Sequence, residues 1–210
     1  MNLNNQYHFE ILAVIITAVF KFILMDWINL RAFYTFGVIL FWLIYILYKV
    51  KTNPKSLHIW GFKKEHFKQT IIYLIPLILI SIVISIIYGS YNSRLSFSWH
   101  FILIFLLYPC WGIIQQFMML SIISHNLVAI SELKINRYFI IFLVSILFSL
   151  IHYPNYSLMI FTFFLEMVFI TVYLKWRNLW AIGLAHGWIA TFILYFILNR
   201  DLWSELFARF

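Results

Sequence analysis

The fold is decided by residues 100–130, which read HFILIFLLYPCWGIIQQFMMLSIISHNLVAI. The hydrocarbon core of a bilayer is about 30 Å thick, and a helix of roughly 17 to 25 apolar residues crosses it. Residues 100–130 are too long for one straight crossing, so we expect a kink or break around residues 108–112, which include a proline. This stretch alone therefore predicts one or two membrane-spanning helices.

Six further apolar runs lie on either side of that stretch. They lie near residues 8–28, 32–48, 69–88, 138–153, 157–174 and 179–198. Of the 210 residues, 64% are hydrophobic and only 10% are charged, which is more apolar than a soluble core requires. The predicted fold class is therefore all-α, a multi-pass integral membrane helical bundle of about seven, or eight, transmembrane helices.

Nothing in the sequence divides the chain into parts. We find no internal repeat, low-complexity tract or flexible linker, so residues 1–210 are predicted to form a single membrane domain. The start, residues 1–6, has no basic region, and the run after it lacks a small-residue cleavage site, so we expect no removable signal peptide. The lone cysteine, Cys110, has no partner for an internal disulfide and is interpreted as a packing residue.

Orientation follows from the lysines and arginines, because cytoplasmic loops of membrane proteins carry an excess of them. Residues 49–68 contain six lysines: Lys49, Lys51, Lys55, Lys63, Lys64 and Lys68. If spans alternate, Lys134, Arg137, Lys175 and Arg177 face the same side, and Arg31, Arg94, Arg200 and Arg209 face the other. The sequence thus predicts a plasma-membrane protein with its amino terminus in the cytoplasm and its carboxyl terminus outside.

The net charge of +8 is interpreted in the same way. The basic residues are spread over loops between spans, where they set topology and attract anionic membrane lipid. We therefore expect lipid as a partner and no nucleic acid.

Five polar residues interrupt the apolar runs: Gln115, Gln116, His152, Glu166 and His186. Polar and ionisable groups inside a membrane are costly and usually functional. His152 precedes a turn-forming Pro-Asn pair, whereas His186 lies well inside the last span. At about 1.5 Å per residue, the predicted spans place the two histidines roughly 7 to 10 Å apart in depth. A shared site requires that difference to shrink.

Three stretches together resemble a known family. Residues 148–152 are similar to a motif in which Phe and three further residues precede His, and residues 177–186 to a turn that leads into a helix bearing a second histidine. Residues 60–63 look like a short lead-in to the same domain. In their order and spacing these stretches resemble the CPBP intramembrane proteases, a group of CAAX prenyl endopeptidases and Abi-like bacteriocin-processing or self-immunity proteins. The resemblance implies a core at about residues 100–198.

The first family motif is altered in this chain. Where the family has Glu-Glu, then three residues and Arg, this sequence has Gln115, Gln116 and, at the arginine position, Leu120. Where the family often has Asn four residues after the second histidine, it has Ala190. In the family a glutamate deprotonates the attacking water while histidines position it or stabilise the oxyanion. An amide orients water but cannot accept its proton, which typically costs about 10² to 10⁴ in rate.

Two chemical alternatives remain. Glu166 could point at His152 or His186 and act as a relocated base, or it could be a protonated group bonding a neighbouring helix. The two histidines, His125 and a glutamate could in principle hold zinc. They come from separate spans without a His-Glu-x-x-His signature, so zinc is disfavoured and we expect no cofactor.

Two function classes follow from these residues and the resemblance. The first is a CPBP-type endopeptidase with a variant site that acts on hydrophobic, membrane-associated or prenylated peptides. The second is a non-catalytic descendant that binds a membrane peptide or partner helix, as an immunity or scaffold protein would. Whether the chain is an enzyme stays open. A transport subunit is less favoured, because the spans lack paired, Gly- or Pro-interrupted half-repeats.

One further pair of charges lies in the first span. Lys21 and Asp26 are five residues apart, so they are not expected on one face of an α-helix.

Overall fold

The computed structural model describes residues 3–94, 97–130 and 135–207, and within these ranges it contains helices and no strand. The α-helices are α1 (Leu3–Phe20), α2 (Arg31–Thr52), α3 (Ser56–Ile59), α4 (Phe67–Tyr91), α5 (Trp99–Gln116), α6 (His125–Ala129), α7 (Arg137–Leu150), α8 (Tyr156–Trp176), α9 (Leu179–Phe192) and α10 (Leu202–Phe207). Three π-helical segments, Lys21–Trp27, Phe117–Ser124 and Ile193–Ile197, continue α1, α5 and α9.

Six of these helical stretches are long and apolar enough to cross a membrane. They are Asn5–Trp27, Arg31–Thr52, Phe67–Tyr91, Trp99–Ala129, Tyr156–Trp176 and Leu179–Ile197. Helix α7 is a shorter apolar helix. The predicted fold class, an all-α multi-pass helical bundle, is confirmed. Lys134 and Arg209, two residues used to predict orientation, lie outside the described residues.

The long run differs in detail from the expectation. It does not break at residues 108–112, but continues as one helical stretch, Trp99–Ala129, with Pro109 inside α5. Its irregularity is the π-helical segment Phe117–Ser124, which begins directly after the two glutamines. Such segments add a residue to the turn and are frequent at functional sites. Within the described residues this run therefore contributes one span.

Helices α5 and α9 pack with their backbones in direct contact, because three glycines leave room for it. A Cβ on Gly112 would lie 2.7 Å from the carbonyl oxygen of Gly183, and one on Gly187 would lie 2.4 Å from the Cα of Pro109. Gly183 and Gly187 are four residues apart, the small-residue spacing that lets membrane helices approach closely. This contact brings the end of α5 against the middle of α9.

The lead-in stretch and the second turn of the family resemblance meet in space. Gly61 has a φ of +87°, and its carbonyl oxygen accepts a hydrogen bond of 2.9 Å from the backbone of Leu179. Asn178 caps α9 by accepting from Ala181 at 3.0 Å, and its amide donates to the carbonyl of Lys63 at 2.7 Å. The loop before α4 thereby fixes where α9 begins.

A buried carboxylate that the sequence analysis passed over joins α1, α2 and α6. Glu10 accepts hydrogen bonds from Gln6 and Asn126, both at 2.7 Å, and from the hydroxyl of Tyr45. The Nζ of Lys49 lies 3.5 Å from the same carboxylate. This network holds the first two helices against the end of the Trp99–Ala129 stretch.

Candidate functional site

The close approach of α5 and α9 brings both glutamines to His186. His186 lies between Gly183 and Gly187, and its Nε2 is 3.1 Å from the Oε1 of Gln115. Its Nδ1 is 3.4 Å from the Nε2 of Gln116. The two glutamines therefore contact opposite nitrogens of one imidazole.

Glu166 joins this cluster through Gln116. The Nε2 of Gln116 donates to the Oε2 of Glu166 at 2.9 Å, and neither side chain is exposed. Of the two alternatives for Glu166, a direct contact with a histidine or a bond to a neighbouring helix, the structure shows a bond to Gln116 on α5, whose amide stands between the carboxyl and His186. The Oε1 atoms of Gln116 and Glu166 have no hydrogen-bond partner among the described residues. The cluster is a chain, Glu166–Gln116–His186–Gln115.

The hydrogen bonds fix the proton of His186. Because the amide of Gln116 donates to Nδ1, that nitrogen is the acceptor and the proton resides on Nε2. Nε2 in turn donates to Gln115. In this arrangement neither nitrogen of His186 has a free lone pair to accept a proton from water.

His152 has the opposite arrangement. It lies in the turn after α7, and its Nδ1 is 2.9 Å from the carbonyl oxygen of Phe148, to which it must donate. In the neutral imidazole, Nε2 is then the unprotonated nitrogen. The ring of Phe148 packs edge-on against both histidines, with centroid distances of 5.1 Å to His152 and 5.5 Å to His186. One phenylalanine therefore contacts both histidines.

These groups border a cavity of about 450 Å³. Gln115, His152 and His186 form what we call its polar wall, while Gln116 and Glu166 are fully buried outside the lining. The rest of the lining is mainly apolar and aromatic, and includes Val14, Ile39, Leu107, Trp111, Leu158 and Phe161. Cavities of this size and composition hold small molecules or peptide side chains. No carboxylate accompanies the polar wall, since Glu166 is turned towards Gln116.

One end of the cavity is charged. Lys21, Asp26, Arg31, Arg200 and Glu205 line it there, at the ends of helical stretches, and we call this set the charged end. The expectation that Lys21 and Asp26 do not share a face is wrong: their Nζ and Oδ2 are 2.6 Å apart. The segment that carries them is π-helical, so residues five apart come to one side.

The third possible zinc ligand lies elsewhere. The ring of His125 packs edge-on against Tyr7 at a centroid distance of 6.4 Å. Among the residues that the structure describes, no three His, Cys, Asp or Glu side chains converge in a way that could hold a metal ion.

The helices, the polar cluster and the cavity define the class: a multi-pass helical membrane protein with a hydrogen-bonded Gln-His-Glu site. Residues 95–192, slightly under half of the chain, match the family model described as type II CAAX prenyl endopeptidase Rce1-like. That match confirms the resemblance to the CPBP intramembrane proteases, and the matched segment contains all five predicted site residues. Comparison with curated proteins and with solved structures gave no significant match.

Proposed function

We propose that this protein uses the CPBP scaffold to bind a hydrophobic peptide segment in its cavity, with hydrolysis that is slow or lost. The observation that carries the proposal is the polar wall, on which amide and imidazole groups face the cavity without a carboxylate. The Nε2 of Gln115 can donate to a peptide carbonyl, and the Nε2 of His152 can accept a hydrogen bond from a water or a peptide N–H. The two carboxylates that line the cavity, Asp26 and Glu205, are paired with basic residues at the charged end, so the polar wall lacks the carboxylate that acts as general base in the family.

The apolar lining supports a hydrophobic or lipidated peptide segment as the ligand. A cavity of about 450 Å³ accommodates a few side chains, and burying them contributes about 25 cal/mol for each Å² of apolar surface. The polar wall would pair the peptide groups that such a segment carries into the membrane. Membrane lipid is the surrounding partner, and the plasma membrane is the proposed location.

Peptide binding is tested with a variant whose larger side chain fills part of the cavity. Ala18 lines the cavity, whereas its neighbour Val19 is 50% exposed and does not. Purified protein in liposomes is titrated with a fluorescent hydrophobic peptide. We expect Ala18→Trp to weaken binding about tenfold or more and Val19→Trp to leave it unchanged. Equal binding by both variants would place the peptide elsewhere and overturn the proposal.

An endopeptidase with a relocated base is the second candidate, and one observation favours it. Because Nδ1 of His152 donates to Phe148, its unprotonated Nε2 remains as a proton acceptor among the cavity-lining groups. Cleavage of membrane and prenylated peptides by the wild type, abolished in His152→Ala and His186→Ala but retained in Glu166→Gln, would support this candidate. Loss of cleavage in Glu166→Gln as well would show that the buried bond between Gln116 and Glu166 is needed to hold the site.

A further inference from the structure

The charged end of the cavity holds an unusual arrangement of charges. Among its five residues, three are cationic and two are anionic, so one positive charge is left over. Lys21 and Asp26 form a pair of their own. The remaining three residues, Arg31, Arg200 and Glu205, form a separate network in which two guanidinium groups share one carboxylate.

The geometry of that network is typical of carboxylate recognition. The Nε of Arg200 donates to Oε1 of Glu205 at 2.8 Å and its Nη2 donates to Oε2, which makes a bidentate pair. The Nη1 of Arg31 donates to the same Oε2. Burial alone would raise the pKa of Glu205, but the two arginines outweigh it and lower that pKa, so the carboxylate is charged.

The carboxylate that the two arginines bind belongs to a short helix. Glu205 lies on α10, a helix of six residues, which contacts α2 and α5 at the cavity. The side chains of Arg31 and Arg200 are 34% and 36% exposed. A carboxylate from outside can therefore approach both guanidinium groups without unfolding a membrane span.

We propose that Arg31 and Arg200 form a binding site for a carboxylate of the peptide in the cavity, and that Glu205 fills it as an internal competitor until that carboxylate arrives. The inference rests on the proposed function, because the peptide must enter the cavity next to this site. The carboxylate comes from a free carboxyl terminus or from an acidic side chain, since both present the same two oxygens to a guanidinium group.

Three peptides that share one hydrophobic sequence distinguish a free carboxyl terminus from an acidic side chain as the source of the carboxylate. The first ends in a free carboxylate, the second in an amide, and the third in an amide preceded by aspartate. Binding is measured in liposomes for the wild type and for Glu205→Gln, Arg31→Gln and Glu65→Gln. Glu65 is an exposed residue in the loop before α4, so its variant carries the same loss of charge away from the cavity.

We expect Glu205→Gln to tighten binding of at least one carboxylate peptide about tenfold and to leave the amide peptide unchanged, the size expected for a charge-assisted hydrogen bond. Arg31→Gln should remove the preference for carboxylate over amide, and Glu65→Gln should behave like the wild type. Arg31→Gln leaves the Arg200–Glu205 pair in place, so α10 stays docked and this variant tests the site even if Glu205→Gln misfolds.

Two outcomes would overturn the site and are distinguishable. If all three peptides bind equally to every variant, the carboxylate site is wrong while the proposed peptide-binding function stands. If none of the three peptides binds to the wild type or to any variant, both the proposed peptide-binding function and the carboxylate site are wrong.

Discussion

At the scale of single residues, Gln116 is the centre of the candidate site. Its amide donates to both Glu166 and His186, so one side chain holds together α5, α8 and α9. Both of its neighbours are buried, and a buried polar group without a partner costs about 1 to 3 kcal/mol. The side chain that replaces the family's glutamate therefore contributes to stability as well as to the site.

We expect Gln116→Leu to lower the free energy of unfolding by about 1 to 3 kcal/mol, because Glu166 and the Nδ1 of His186 lose their donor. The exposed Gln69 on α4 offers a matched control, and Gln69→Leu should have little effect. Denaturant unfolding in detergent measures both. An equally small change in the two variants would show that the buried chain of hydrogen bonds is not stabilising.

The residues of the candidate site could be identified from the sequence, but the contacts between them could not. Polar side chains in apolar runs identified Gln115, Gln116 and His186, and the structure brings them together. The bond from Gln116 to Glu166 joins residues 50 positions apart and depends on how α8 packs. The Arg31–Glu205 pair spans 174 positions, so Arg31, interpreted only as a topology signal, could not be paired with Glu205 from the sequence.

At the scale of helices, three glycines bring the residues of the candidate site together. The contact between α5 and α9 depends on Gly112, Gly183 and Gly187, where backbone approaches backbone. The sequence predicted both helices, yet it could not show that their backbones touch. It also predicted a kink or break near Pro109; the helix does not break there, and Gly187 packs against that proline.

Gly187→Ala should destabilise the bundle by about 1 to 3 kcal/mol, since its new Cβ would overlap the backbone of Pro109. Gly37 on α2 is the matched control, because a Cβ there meets nothing within 4 Å. Gly37→Ala should be neutral or slightly stabilising, as alanine is the better helix former. Thermal unfolding followed by circular dichroism compares the two. Similar melting temperatures would argue against direct backbone contact.

Helix α10 should loosen in acid because of Asp201. Burial alone would raise the pKa of Asp201, but hydrogen bonds from His100 and Ser204 outweigh it and lower the pKa to about 2. A depressed pKa stabilises the folded form above the ordinary value of 3.8, and this stabilisation is lost as pH falls towards 2.

The fluorescence of Trp203, on α10, reports this loosening between about pH 5 and pH 2. Asp201→Asn should show a loosened helix at neutral pH and a weaker dependence on acid. An acid transition of the same size in wild type and Asp201→Asn would assign it to other carboxylates.

At the scale of the whole molecule, the first half of the chain contributes much of the lining of the cavity. Residues 95–192, which match the family model, contribute the polar wall. Val14 and Ile39 contribute to its apolar lining, and Lys21 and Arg31 contribute to its charged end. The sequence of this half indicates little chemistry by itself, because its residues reach the cavity only when α1 packs against the π-helical segment Phe117–Ser124 and α2 packs against α5. The orientation with the amino terminus in the cytoplasm stays a prediction.

The central question for the whole molecule is whether the protein would cleave a bound peptide if the polar wall carried a carboxylate. Gln115 lines the cavity and accepts from the Nε2 of His186 at 3.1 Å, so a glutamate at this position would accept the same bond and present a carboxylate to water. Gln116→Glu is the matched control, because that side chain is buried outside the lining, next to Glu166.

The most direct measurement is therefore cleavage of membrane and prenylated peptides by purified wild type, Gln115→Glu and Gln116→Glu in liposomes, with binding followed in parallel. We predict that the wild type binds a peptide with little or no cleavage, that Gln115→Glu cleaves it about 10² times faster or more, and that Gln116→Glu does not. Rapid cleavage by the wild type, unchanged by Gln115→Glu, would contradict the assignment of this cavity as a binding site that lacks a carboxylate base on its polar wall.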